Sequence, residues 1–174
     1  EGPSTCPSIS ADGRYVAFLS EANNLVSYDT MCRDAFVRDC DWNTTKRASI
    51  DHTGLQSNGD CSYAEICGNG RYVAFISEAS DVFANDTNDL PDAFRWDREG
   101  PAVIRVSLGE GNVQAVGGSP SALCISYDGR YVAMETDATN MVAGDTNGVA
   151  DVFRRDVDAQ STVLVGVDNS GAQC

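Results

Sequence analysis

The apolar positions of this chain fall into short, dense runs and not into a helical period. Arg71-Tyr72-Val73-Ala74-Phe75-Ile76 is β-branched or aromatic almost throughout, which suits a strand covered on both faces. Further strands are expected around it, near residues 64–67, 92–97 and 102–108, separated by clusters of Gly, Asn and Asp. Asn69-Gly70, like Asp12-Gly13 and Asp128-Gly129, is a dipeptide favoured in tight turns because both residues accept positive φ, so the first two strands should form a hairpin. Longer interruptions at residues 21–33, 78–91 and 137–150 each hold one apolar pair: Leu25-Val26, Val82-Phe83 and Met141-Val142. A loop of about 13 residues that recurs in this way is functional or pinned, and the pair should tuck it against the sheet.

The runs repeat. Gly13-Arg14-Tyr15-Val16-Ala17-Phe18 returns as Gly70-Arg71-Tyr72-Val73-Ala74-Phe75 and Gly129-Arg130-Tyr131-Val132-Ala133-Met134, with the glycines 57 and then 59 residues apart. A second echo, Asp34-Ala35-Phe36-Val37-Arg38-Asp39, returns as Asp92-Ala93-Phe94-Arg95-Trp96-Asp97 and Asp151-Val152-Phe153-Arg154-Arg155-Asp156. Such a period marks one supersecondary unit that needs its neighbours to bury a core. The repeats divide the chain at residues 1–57, 58–116 and 117–174, without linkers. Gly54 precedes Gly70 by 16 residues, and Gly171 would precede Gly13 by the same 16 if the tail of one copy met the head of another. The chain is therefore expected to be one period of a longer array or a unit that associates head to tail.

Four short strands per repeat imply an all-β fold of three four-stranded antiparallel β-propeller blades. Here a family resemblance enters. Ser8-Ile9-Ser10-Ala11-Asp12-Gly13-Arg14-Tyr15-Val16-Ala17-Phe18 and Cys124-Ile125-Ser126-Tyr127-Asp128-Gly129-Arg130-Tyr131-Val132-Ala133 resemble the S-x-D-G-[KR]-x-[IVL]-A-[FY] strand pair of TolB-type, WD-repeat-like blades. Asp151-Val152-Phe153-Arg154-Arg155-Asp156 resembles that family's D-[IV]-[FY]-x-x-[DN] strand. The second repeat departs at Cys67-Gly68-Asn69-Gly70, which lacks the Ser and Asp. The resemblance specifies blades and leaves function open. Three blades should not close a ring alone, so two chains would form a 3+3 ring or many chains an open array.

Charge narrows the partners. With 26 acidic against 12 basic residues the net charge is −14, which disfavours nucleic acid and anionic membranes and attracts cations. No run approaches the ~18 apolar residues of a membrane span. Seven cysteines (Cys6, Cys32, Cys40, Cys61, Cys67, Cys124, Cys174) show no C-x-x-C pair, and His52 is the single histidine, so a zinc site is not expected. Disulfides in an extracellular or cell-surface setting are expected instead. Seven is odd, which leaves Cys174 at the repeat seam to stay free or to pair with another chain.

The long loops carry the candidate chemistry. Asp145-Thr146-Asn147-Gly148-Val149-Ala150-Asp151 resembles a shortened calcium loop, with Asp145, Asn147, Asp151 and the Val149 carbonyl as ligands. The second repeat keeps Asp86, Asn88 and Asp92, whereas the first is one residue shorter, has Met31 in place of Asn and adds Arg33. The alternative is an Asx turn that caps the backbone before the third strand. Arg14, Arg71 and Arg130 should be structural, pairing with Asp39, Asp97 or Asp156 of the next blade. Trp42 and Trp96 would pack at blade edges or offer a sugar platform, and Asn43 and Asn85 head N-x-[ST] sequons. His52 lacks a triad context, and no nucleophile, base or metal constellation marks an enzyme.

The function expected is a non-catalytic extracellular module that self-assembles head to tail into a ring or filament, stabilised by disulfides and calcium. The alternatives are a cell-surface propeller that binds protein or glycan, and an accessory domain of a secreted hydrolase.

Overall fold

The computed structural model describes residues 1–30, 32–84, 86–100 and 102–173. Among them, strands build three four-stranded antiparallel sheets, each ordered as the chain runs. The first holds β1 (Ser4–Ile9), β2 (Tyr15–Ser20), β3 (Asp34–Asp39) and β4 (Thr44–Arg47). The second holds β5 (Cys61–Ile66), β6 (Tyr72–Ser77), β7 (Asp92–Asp97) and β8 (Val103–Arg105). The third holds β9 (Pro120–Ile125), β10 (Tyr131–Thr136), β11 (Asp151–Asp156) and β12 (Ser161–Leu164). β5 starts earlier than residues 64–67, because a register shift lets Cys61 pair with Ser77. β8 is shorter than residues 102–108, because the chain leaves the sheet to form the Leu108–Gln114 bridge.

The β1–β2, β5–β6 and β9–β10 hairpins differ from the expected turn in one respect. Gly13, Gly70 and Gly129 take φ of 75°, 75° and 76°, but Asp12, Asn69 and Asp128 do not join them in the left-handed region. These polar side chains instead staple the turn. Asp12 Oδ1 accepts from Ser10 Oγ (2.6 Å) and Arg14 N (3.0 Å), while Ser10 Oγ accepts from Tyr15 N. In the second repeat Cys67 donates to Asn69 Oδ1 (2.9 Å), Arg71 N donates to the same oxygen, and Tyr72 N donates to Cys67 Sγ. Cys67 and Asn69 thus do the work of the absent Ser and Asp.

The blades pack face to face, and the core lies between them. One apolar cluster joins Tyr15, Ala17, Leu19, Ala35 and Ala48 of the first blade to Ala64, Ile66, Val73, Phe75 and Phe94 of the second. The other joins Ala74, Ile76, Ala93 and Val106 to Leu123, Val132, Met134 and Phe153 of the third. β6 therefore sends alternate residues to opposite neighbours, which explains its near-continuous apolar run. β2 instead sends Tyr15, Ala17 and Leu19 to the second blade and leaves Val16 and Phe18 half-buried on its other face. The loop pairs pack as expected where Val82 and Met141 are fully buried; Leu25 is half-buried. The first strands β1, β5 and β9 also contact one another in sequence.

Candidate functional site: acidic loops and open blade faces

The repeated arginines pair within their own blade, which corrects the expected pairing with the next one. Arg14 reaches Asp39 at 2.9 Å, Arg71 reaches Asp97 at 2.8 Å and Arg130 reaches Asp156 at 2.7 Å. The cause is register: Tyr15 lies opposite Asp39, Tyr72 opposite Asp97 and Tyr131 opposite Asp156, so the residue before the strand meets its partner across the ladder. The Arg14 guanidinium holds Asp39 down at about 2, and Arg130 does the same to Asp156.

Each long loop brings an aspartate beside the one that opens the third strand, and a glutamine 22 residues after that strand aspartate reaches back to it. In the second blade Gln114 Nε2 donates to Asp86 Oδ1 (2.6 Å) and Asp92 Oδ2 (3.2 Å). Arg105 lies beside both carboxylates at 3.3 Å, and Ser107 Oγ donates to Asp92. The first blade matches this arrangement. Arg47 lies 2.5 Å from Asp29 and 3.2 Å from Asp34, with Gln56 and Ser49 donating to Asp34. Burial still pushes Asp34 up to about 6 and raises Asp92, against the pull of arginine and serine.

The third blade keeps the acids and loses their cation. Gln173 Nε2 donates to Asp145 Oδ1 (2.9 Å) and Asp151 Oδ2 (2.8 Å). Leu164, opposite Phe153, occupies the place of Arg47 and Arg105, which lie opposite Phe36 and Phe94. Gly166 replaces the serine, its missing Cβ directed at Asp151 Oδ1. Asn88 and Asn147 cap their loops, accepting from Leu90 N and Val149 N. The sequence marked Asp86, Asn88, Asp92, Asp145, Asn147, Val149 and Asp151, and the fold brings each acidic pair together. It missed Arg47, Arg105 and the three glutamines, whose signal was their fixed spacing from the strand aspartate. Among the described residues no group of three or more His, Cys, Asp or Glu side chains forms a metal-holding cluster.

The expected intrachain disulfides are absent among the described residues: Cys6, Cys32, Cys40, Cys61, Cys67 and Cys124 are all free. Cys61 and Cys67 are buried, with Cys67 closing its turn and the Cys61 thiol pushed up to about 12 by burial. Cys6, Cys40 and Cys124 are exposed on separate elements. Cys174 and Asn85 lie outside the described residues. Trp96 is 2% exposed and belongs to the first interface, so a stacking platform falls to Trp42 alone, 73% exposed. His52 Nδ1 contacts the Asp81 carbonyl at 3.0 Å. A groove of about 1030 Å³ runs between the first two blades past Tyr28, Lys46 and Arg98.

The two outer faces are the open halves of interfaces that the chain closes twice internally. Ile66 is 4% exposed, but its counterpart Ile9 is 61% exposed. Ala64 and Leu123 are buried, whereas Pro7 is exposed. At the far end Val152 and Val165 are 42% and 49% exposed, where Ala35, Ala93, Ala48 and Val106 are fully buried. Inner strands add a polar latch: Ser8 Oγ accepts from Ile66 N at 3.3 Å, and Glu65 accepts from Ile125 N. Cys124 holds that place on β9, pairing with Ala133 as Ser8 pairs with Ala17.

These sheets match β-propeller structures, which establishes the fold as that of propeller blades. The β-propeller domain of the trilobed protease from Pyrococcus furiosus, described as having an open velcro topology, aligns with a TM-score of 0.57 at 11% identity over 93% of this chain and 41% of that one. The TolB structure from Agrobacterium tumefaciens gives 0.53 at 16% identity over 93% and 48%. Oligogalacturonate lyase from Vibrio parahaemolyticus gives 0.54 at 7% over 91% and 38%. The chain thus spans less than half the length of these structures. No family model matches the sequence, and no curated protein matches it. No helix among the described residues is long and apolar enough to cross a membrane.

Proposed function

We propose that this chain is a non-catalytic, extracellular structural module that joins head to tail with copies of itself to extend its three blades into a larger ring or filament. One observation carries the reading: the first blade exposes Pro7 and the third exposes Val152 and Val165 at positions whose counterparts are buried at both internal interfaces, and Ile9 is exposed where Ile66 is buried and Ile125 half-buried. A heterologous contact of this kind closes a ring or propagates, according to its rotation. Native mass measured across a concentration series tests it. The chain should form dimers or a ladder of higher masses, and Ile9→Asp should reduce it to a monomer; a wild-type chain that stays monomeric at the highest concentration overturns the reading. Exposed Cys6, Cys40 and Cys124 would be available for interchain disulfides in an oxidising setting.

Calcium belongs to the same proposal, chiefly at the third loop. Asp145 and Asp151 supply charge, Asn147 and the Val149 carbonyl supply neutral oxygens, and among the described residues no arginine neutralises the pair, Leu164 standing in its place. At Asp86, Asn88 and Asp92 the guanidinium of Arg105 already provides the positive charge. Calorimetric titration should find one calcium site that Leu164→Arg removes; no heat with the wild-type chain overturns this element. A second reading, a ligand-binding propeller, draws on the groove between the first blades, where Lys46 makes no ion pair among the described residues. Unchanged glycan-array binding in Lys46→Ala would remove that support.

A further inference from the structure

We infer that Tyr131 and Arg154 form an open clasp for the Gly13 turn of a second copy of this chain. The inference rests on the head-to-tail reading and names the residues that would set its register. At the first internal interface the Cβ position of Gly70 lies 2.4 Å from Tyr15 Cδ2, so the tyrosine of one blade lies directly on the turn glycine of the next. Arg98 completes the contact: its Nε donates to the Gly70 carbonyl at 2.9 Å while its guanidinium lies 4.1 Å from the centre of the Tyr15 ring. The second interface repeats this with a different arginine. The Cβ position of Gly129 lies 2.2 Å from Tyr72 Cδ2, Arg95 Nη1 donates to the Gly129 carbonyl at 2.6 Å, and its guanidinium lies 4.2 Å from the Tyr72 ring.

The third blade carries the second version without its glycine. Arg154 lies opposite Ala133 as Arg95 lies opposite Ala74, and its guanidinium is 4.9 Å from the Tyr131 ring. The Arg154 side chain is exposed and makes no hydrogen bond or ion pair among the described residues. The first blade carries the complementary half. Gly13 has the same left-handed φ of 75° as Gly70, yet no atom lies within 4 Å of its Cβ position. Its neighbour in the fold is Cys40, which donates its N–H to the Arg14 carbonyl as Arg98 does to Arg71 and Val157 to Arg130. A residue without charge at that place leaves the Gly13 carbonyl to an arginine from the preceding blade, as Val157 leaves Gly129 to Arg95. The occupant that fits is therefore a Gly13 turn, and a second copy supplies one.

The test pairs self-association with single-chain stability. A methyl on Gly13 meets nothing inside one chain but stands where Tyr131 of the neighbour must lie, so Gly13→Ala should weaken association at least a hundredfold. Arg154→Ala should weaken it about tenfold, through the loss of a hydrogen bond from a charged donor to the Gly13 carbonyl of the neighbour, while the single-chain melting temperature changes by no more than one exposed cation–π contact supplies. Trp42→Ala, on an exposed turn, should alter neither. If Ile9→Asp abolishes association but Gly13→Ala and Arg154→Ala leave it at the wild-type value, the clasp is overturned and the assembly stands. If the wild-type chain does not associate, the assembly reading fails, and two full copies joined end to end decide the clasp alone. There, Arg154→Ala in the first copy should lower the melting temperature and the same change in the second copy should not; equal melting in both overturns the clasp.

Discussion

Asp34 and Asp39 open and close the same strand, β3, and are held in opposite electrostatic states. Asp39 is fixed at about 2 by hydrogen bonds from Arg14 and two backbone N–H groups, while burial drives Asp34 up to about 6 although Arg47 lies 3.2 Å away. A carboxyl whose folded value falls below its unfolded one stabilises the fold above the unfolded value, about 4, and loses that contribution as pH falls toward 2. Asp97 and Asp156 are shifted in the same direction. Asp34 and Asp92 act in reverse: their raised values favour the fold below about 4, and that contribution is lost as pH rises through 6. For Asp34, a rise of about two units corresponds to about 3 kcal/mol as an upper bound. Melting temperature should therefore peak near pH 4, falling as pH rises from about 4 through 6 and again as it falls toward 2. Carbon-detected titration should place the Asp34 midpoint near 6; an ordinary carboxylate midpoint there, with flat melting from pH 5 to 7, defeats the argument.

At the scale of the element, the hairpins show how one glycine can serve two ends. Gly13 and Gly70 share a φ of 75°, so alanine at either pays the left-handed strain of about 1–2 kcal/mol. Only at Gly70 does the new methyl collide, 2.4 Å from Tyr15 Cδ2, which adds about 1–3 kcal/mol of overpacking. Urea unfolding of the single chain should find Gly70→Ala the more destabilising by that margin; equal losses would mean that Tyr15 does not seat on the turn. The central strands were legible from sequence because their runs are almost wholly apolar, as the covering of β6 on both faces requires. Edge strands were less so: β8 has three residues, and its end is set by the Leu108–Gln114 bridge, which no local pattern announces. The Arg–Asp pairs were legible as pairs, but the blade that holds both members follows from the Tyr15–Asp39 register, which the spacing of the repeats does not reveal. The acidic loops were visible as motifs, whereas the presence of Arg47 and Arg105 and the substitution of Leu164 emerge only when the short last strands are set opposite the third.

For the whole molecule, stability should be distributed as in a linear array of repeats, each held by its neighbours. The second blade is covered on both sides: Val73, Ala74, Phe75 and Ile76 are at most 1% exposed. The outer blades each have one uncovered face, so Val16 and Phe18 are half-buried, β1 is exposed along most of its length, and Val163 is 40% exposed. Local opening requires only the contacts of the opening unit to be lost, so its free energy falls where one side is solvent. Amide exchange in dilute, single-copy protein should thus be slowest in β6, faster in β2 and β10, and fastest in β1 and β12. Self-association through the end faces would cover β1 and the exposed valines, so raising the concentration should slow exchange at the two outer blades and leave β6 almost unchanged. A uniform rate across all three blades would mean that they open together, and that the inter-blade clusters, more than the individual faces, set the cooperative unit. Exchange that slows with concentration in the second blade alone would contradict the head-to-tail arrangement, because that blade has no open face left for a second copy to cover.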